Sequence, residues 1–353
     1  MKHAANRTGS LSDHYTCDAV CVRRARAACD AGKNEKPAVK RADASFAALR
    51  YPYSQLNERE QALYDALYDG ISAYRETIRL PGSYTRTEYE RVYLMVMMQE
   101  PELFYVDRVY ELAAEMTEAR IYYTMTQAEA EGLKSSLEAA ADAIIGRLST
   151  AQNEWQRLLM IHDAIAARCI YERSGHSDDA VGSLVEGYAM CEGYSKGFLY
   201  TARRAGYDIM CVPGHTGNGT EHVWNIVKID GQYYNMDLTF DDDDSYGGAA
   251  AHGCFAVPDA AFGDHLPDVN SYRPPQCTDG TQTYYIKNAL ILNETSQLSQ
   301  RIQEWSGRRA DGITEFCCGE MVADAKNSVT AAAEGTGQRV YWDSVRRIAV
   351  LVR

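Results

Sequence analysis

The apolar positions first become regular at Leu56. Leu63, Leu67, Ile71 and Tyr74 recur at spacings of four and three, which places them on one face of a helix. Pro81-Gly82 is expected to end that helix. Thr87 and Glu90 read as a capping box ahead of the apolar run Val92 to Met98, with Pro101 beyond it. Residues 102–125 fit short strands or a helix. Further helices are predicted from about Gln127 to Leu148 and from about Asn153 to Arg168. The second carries Trp155, Leu158, Leu159, Ile161 and Ile165.

The texture changes near Tyr171. A polar loop, Arg173 to Asp179, leads to Ser183-Leu-Val-Glu-Gly187, and Cys191 then opens a helix that ends before Gly206. Strands are expected at about 207–213, 222–229 and 232–240, followed by an acidic loop and irregular chain to about 280. The last stretch alternates: a strand near Tyr284 to Ile286, a helix at 296–305, a strand at 313–317, a helix at about 320–333 and a strand at 346–352. The predicted organisation is a mobile tail over 1–48, a helical N-terminal region over 49–150, a core over 151–280 and a small C-terminal α/β unit over 281–353.

Composition bounds the function. The chain has 353 residues, 46% of them hydrophobic, and a formal net charge of −13. That charge repels nucleic acid and anionic membrane, so no nucleic-acid partner is expected. No apolar run approaches the ~20 residues that a membrane helix needs. Met1 to Ser10 has no apolar core of a secretion signal, so a cytoplasmic location is the default expectation, with export of a longer precursor left open. The ten cysteines form no small-domain disulfide framework. His14, Cys17, Cys21 and Cys29 match no standard zinc spacing, and no metal or other cofactor is expected.

The candidate chemistry lies between residues 187 and 240. A cysteine in the first turn of a helix faces the positive end of the helix dipole and unpaired N–H groups, which favour a thiolate. Gly193 and Gly197 share a face of that helix and would let a sheet approach closely. The sheet partner is a hairpin: His222-Val-Trp-Asn-Ile-Val-Lys-Ile229 alternates, Asp230-Gly231 is a two-residue turn, and Gln232 to Phe240 alternates again. Such a turn pairs Ile229 with Gln232, so Trp224 faces Asp237 and His222 faces Thr239. His222 and Asp237 then share one face as diagonal neighbours, about 7–8 Å apart at the backbone and within reach of a His–carboxylate hydrogen bond. A thiol, an imidazole and a group that orients the imidazole are the parts of a nucleophilic triad. The Cys191 N–H supplies one oxyanion donor; Tyr171 is the candidate for the second.

The stretch Leu184-Val-Glu-Gly-Tyr-Ala-Met-Cys-Glu-Gly-Tyr-Ser195, then His222-Val-Trp-Asn225, then Asp237-Leu-Thr-Phe-Asp241, resembles the bacterial transglutaminase-like core. That family carries a Cys-x-Gly-Tyr helix start, a His-x-Trp strand and an Asp-x-Thr-aromatic strand in this order. The resemblance covers about 150–245. It implies an α+β, papain-like fold, in which the helix bearing the cysteine packs on an antiparallel sheet bearing the histidine and aspartate. It also implies a Cys191–His222–Asp237 triad, and Tyr171 matches an aromatic the family places ahead of the cysteine. Animal transglutaminases have Gly-Gln-Cys-Trp at the nucleophile, whereas this chain has Ala189-Met190-Cys191-Glu192. Cross-linking therefore does not follow from the resemblance.

Neighbouring features read otherwise. His215 sits in a Gly-rich loop, residues 214–220, that suits a gating lid or a plain connection better than a fixed base. Asp241 to Asp244 reads as a solvated acidic turn, and Cys317-Cys318 as structural. Trp224 is expected to pack beside the site and shield the His–Asp pair. The expected activity is acyl transfer on amide or peptide bonds of a protein or peptide substrate, by hydrolysis or transamidation. The alternative is a catalytically idle fold that binds protein or glycan. A metal-dependent hydrolase is a third reading.

Overall fold

The computed structural model describes residues 51–353 apart from 244, 245, 247–249, 271, 335 and 353. The tail expected over 1–48 lies outside the described residues.

Helix α1 (Glu58–Ser72) starts at Asn57, whose side chain accepts from the Glu60 N–H while Glu60 reaches back to the Asn57 N–H. Leu63, Leu67 and Ile71 are fully buried along one face, as their spacing predicts. The helix stops at Ser72, short of Pro81-Gly82, because strand β1 (Thr77–Arg79) intervenes. Helix α2 (Arg86–Gln99) is capped by Thr85 with Glu88 rather than Thr87 with Glu90. Thr-x-x-Glu occurs twice in overlap, and Thr85 has the extended backbone that a cap requires. The ambiguous stretch after it resolves as a hairpin, β2 (Val106–Leu112) and β3 (Glu118–Tyr123), with β1 completing the sheet in the order β1-β3-β2. Helices α3 (Gln127–Ile145) and α4 (Glu154–Ala166) follow, capped by Thr126 and Asn153.

The second layer is built around α5 (Cys191–Arg204). Two short strands, β4 (Ile170–Tyr171) and β5 (Tyr188–Ala189), pair in parallel just ahead of it. Strands β6 (Ile209–Thr216), β7 (Glu221–Ile229) and β8 (Gln232–Met236) form an antiparallel meander, and β9 (His265–Pro267) adds to β6, giving the order β8-β7-β6-β9. The turn works as its residues require: Asp230 and Gly231 both have positive φ, and Ile229 pairs with Gln232. Strand β8 ends at Met236, earlier than its alternation suggests. Asp237 leaves the sheet and caps a short helix, α6 (Leu238–Asp241). His222 therefore does not face Thr239 across the ladder.

Helix α5 packs on β7, but its glycine face does not meet the sheet. A Cβ on Gly193 would run into the carbonyl oxygen of Ser177, and one on Gly197 into the hydroxyl of Ser183. The glycines admit the 177–183 segment, whose Ser183 Oγ donates to the Gly193 carbonyl at 2.8 Å. Gly193→Ala is expected to cost about 1–3 kcal/mol, because backbone has to move to admit the methyl; urea unfolding measures it.

The remaining chain forms a second sheet in the order β10-β11-β13-β12, from β10 (Ile291–Leu292), β11 (Thr314–Cys318), β12 (Arg339–Asp343) and β13 (Ile348–Val352). Helices α7 (Leu298–Trp305) and α8 (Ala325–Ala333) accompany it. The strand expected near Tyr284 is a short helical turn (Tyr284–Lys287), and β12 has no counterpart in the expectation. One apolar cluster runs from Leu56 to Cys277 through both the N-terminal helices and the β6–β8 sheet. A second runs from Ala251 to Val352. The fold is α+β, and among the described residues no helix is long and apolar enough to cross a membrane.

Candidate active site

Cys191 is the first residue of α5 and is partly exposed. Its preceding residue, Met190, has no oxygen with which to cap the helix and makes no side-chain cap bond. The first-turn N–H groups, which no helix satisfies internally, therefore receive no acceptor from the capping position. Two bonds fix α5 against β7: Ser195 Oγ donates to the Val223 carbonyl at 2.9 Å, and Asn225 Nδ2 donates to the Ser195 carbonyl at 3.0 Å. Val223 and Asn225 flank Trp224 and follow His222 directly, so these bonds set the helix start against the histidine.

His222 is buried on β7, with its Nε2 2.7 Å from Asp237 Oδ2. The Cys191 thiol acts electrostatically on the same ring, and with Asp237 on Nε2 the nitrogen left for sulfur is Nδ1. Burial disfavours the imidazolium, but the Asp237 carboxylate and then Cys191 outweigh it, and the pKa of His222 rises to about 10. Asp237 is buried as well. Burial opposes its charge, yet His222 and His265 hold its carboxyl far below the usual range. Its Oδ1 accepts the backbone N–H groups of Thr239 and Phe240 at 2.9 and 3.3 Å, so the cap of α6 and the partner of His222 are one side chain.

Because the folded pKa of His222 exceeds its ordinary 6.5, its stabilisation is fully present below 6.5 and is lost as pH rises through about 10. The stability difference between wild type and His222→Gln should therefore shrink across that window, measured by denaturant unfolding at several pH values.

His265 was not singled out by any sequence signal. Its Nε2 lies 2.9 Å from Asp237 Oδ2, the oxygen that His222 also uses, and its Nδ1 lies 2.8 Å from Asp264 Oδ1. Register explains the meeting: Gly214 on β6 pairs with His222 and Thr216 pairs with His265, so both rings sit on one sheet face. Gly214 carries no side chain between them, and a Cβ there would strike the carbonyl of Leu266. Arg346, in the β12–β13 turn, donates to both oxygens of Asp264 at 2.7 and 3.2 Å and to Asp343 at 2.8 Å. A continuous chain of hydrogen-bonded side chains thus runs from Arg346 of the C-terminal sheet to His222.

The other expectations fall as follows. Trp224 is buried on the site's sheet face, with its ring 6.4 Å from His222 and 5.2 Å from His265, and its Nε1 donates to Asn235. Tyr171 pairs through its backbone with Ala189, two residues ahead of Cys191, and its side chain is 40% exposed. His215 is exposed on the opposite face of β6 from His222. The segment after it is a tight turn closed by the Thr216 N–H on Thr220 O, rather than a long loop. Asp241 and Asp242 are not solvated. Helix α6 turns them inward, where Asp241 accepts the Cys254 N–H and Asp242 accepts the Tyr194 hydroxyl. Glu192 next to the thiol is held by Lys196 at 2.7 Å and by Arg108 of β2 at 2.6 Å. A cleft of about 450 Å³ lies behind Trp224, lined by Phe262, His265 and Leu266 among others, and Cys191 is not in its wall.

Comparisons with known proteins bear on the central part of the chain. Residues 139–238 match the transglutaminase-like superfamily. No curated protein matches. Similar solved structures include a TGase, at 15% identity and TM-score 0.27 over 37% of this chain and 43% of that one. A candidate cysteine protease of Cytophaga hutchinsonii gives 13% and 0.28 over 40% and 44%. A candidate protease of Parabacteroides distasonis gives 12% and 0.24 over 38% and 39%. This chain spans less than half the length of each of these three structures. The superfamily match takes in Cys191, His222 and Asp237 and ends before His265, so residues 139–238 are similar to the transglutaminase-like superfamily.

Proposed function

We propose that the chain performs acyl transfer on amide or peptide bonds with Cys191 as nucleophile, His222 as acid and base, and Asp237 as the residue that orients it. The observation that supports this reading is the buried His222, which has Asp237 on Nε2 and feels the Cys191 thiol at the start of α5. The Cys191 thiolate attacks the carbonyl carbon, and the oxyanion is met by the Cys191 N–H at the uncapped helix start. His222 gives its proton to the leaving amine as the C–N bond breaks, leaving a thioester. Water then adds to the thioester, His222 takes its proton, and the C–S bond breaks to release the acid. Tyr171, whose strand runs beside the Cys191 approach, is the proposed second oxyanion donor. Hydrolysis is the proposed outcome, since no residue here marks a dedicated amine site, and the substrate is a protein or peptide.

The test is alkylation by iodoacetamide at neutral pH, with each thiol followed by peptide mass spectrometry. Cys317 is also partly exposed and serves as the internal comparison. Cys191 should react about tenfold or more faster, as expected for a thiolate beside an imidazolium, and His222→Gln should remove the difference. Equal rates for Cys191 and Cys317 in the wild type would overturn the reading and favour an idle binding fold.

A further inference from the structure

A second convergence of imidazole and carboxylate lies at the other end of α6. Asp237 starts that short helix and holds His222; Asp241 ends it and holds His162 of α4, whose Nε2 is 3.2 Å from Asp241 Oδ2. The other nitrogen of His162, Nδ1, is 2.9 Å from Oδ1 of the adjacent Asp163. His252, in the segment between α6 and β9, points its Nε2 at the same Asp163 oxygen, also at 2.9 Å. Its Nδ1 is 2.7 Å from Glu315 Oε1 on β11. Glu315 is fixed in turn by the Tyr285 hydroxyl and by Arg309.

A metal-bound histidine presents one ring nitrogen to the ion and gives the N–H of the other to a carboxylate or carbonyl, which sets tautomer and ring orientation. Both histidines here are arranged in that way. Their outer nitrogens meet Asp241 and Glu315, both buried, while their inner nitrogens converge on one oxygen of a carboxylate whose side chain is 49% exposed. One ligand atom from each of His162, Asp163 and His252 lies within 4.8 Å of the others. That spread is close to what one ion with bonds of about 2.0–2.2 Å draws together. Two neutral imidazoles and a carboxylate are a zinc-type donor set, and the open side of Asp163 leaves room for water as a fourth ligand. The group His222, Asp237 and His265 is also compact, but it is enclosed, and the second side of His222 faces Cys191 instead of a carboxylate.

We propose that His162, Asp163 and His252 bind one zinc ion, with Asp241 and Glu315 holding the two rings. The site joins α4 to the 250–254 segment and, through Glu315, to the C-terminal sheet, so its role is to clamp these parts together. The inference is independent of the acyl-transfer reading. The full chain, incubated with zinc chloride under reducing conditions and passed through metal-free buffer, should retain about one zinc per chain by plasma mass spectrometry, and its Tm should rise with added zinc. Cobalt(II) should give visible d–d bands without the near-ultraviolet band of thiolate ligation. Asp163→Asn, altered at an exposed side chain, and His252→Gln should each keep the wild-type circular dichroism and lose about nine-tenths of the bound metal. Three results would overturn the proposal: no zinc retained by the wild type, a thiolate band with cobalt, or retention unchanged in both folded variants. In the last case the cluster is a hydrogen-bonded clamp held by protons alone.

Discussion

Asp237→Asn is expected to lower amide hydrolysis by about 10³–10⁴-fold, the scale seen when a triad carboxylate becomes an amide. The cause is specific to the way this side chain is held. Oδ1 is already committed to the N–H groups of Thr239 and Phe240, so an asparagine keeps its carbonyl oxygen there. Its NH₂ must then point at His222 and His265, both of which donate to Oδ2 in the wild type. Donor meets donor, and His222 either turns away or takes the tautomer that cannot accept the thiol proton. The cap of α6 survives, so the loss should appear in rate with little change in fold. Release of new amino groups from unstructured casein, together with the alkylation rate of Cys191, measures the effect. A variant within about threefold of wild type in both assays would remove Asp237 from the orienting role.

His265→Leu is expected to cost about 3 kcal/mol of stability, the upper end of the cost of leaving a buried acceptor without its hydrogen-bond donor. The substitution strips Asp237 of a hydrogen-bond donor at a site with no access to water. Asp264 keeps Arg346, so the damage concentrates on Asp237 and through it on His222. His265→Gln returns an N–H near the Nε2 position and should recover about half of the loss. The two variants should differ in Cys191 alkylation as well as in urea midpoint, since a purely space-filling role for the ring would leave the thiol's reactivity unmoved. If Leu and Gln behave alike in both measurements, His265 packs beside Asp237 without positioning it.

The candidate site could be proposed from the sequence because its main parts are local. A cysteine at a helix start needs only the helix boundary, and α5 begins at Cys191. The placing of His222 near Asp237 needs only the Asp230-Gly231 turn, since a two-residue turn dictates pairing for several residues on either side. That count held through Asn225 with Met236. It failed at Asp237, where the carboxylate's own bonds to two backbone N–H groups turn the chain into α6. Local alternation cannot register such competition between a cap and a ladder.

Amphipathic spacing and turn residues sit within a few positions of one another, so the residues alone determined most helices, the β7–β8 hairpin and the Cys–His–Asp order. Tertiary structure alone decided that Gly193 faces Ser177, that Asp241 and Asp242 turn inward, that His265 reaches Asp237, and that Arg346 reaches Asp264 beside it. It also decided that His162 and His252 converge on Asp163. The contacts of His265 and His252 depend on segments distant in sequence, brought in by β9 on β6 and by the Glu315 side chain of β11 on His252. Their partners are chosen by which buried charges need neutralising, and that need exists only once the chain has folded.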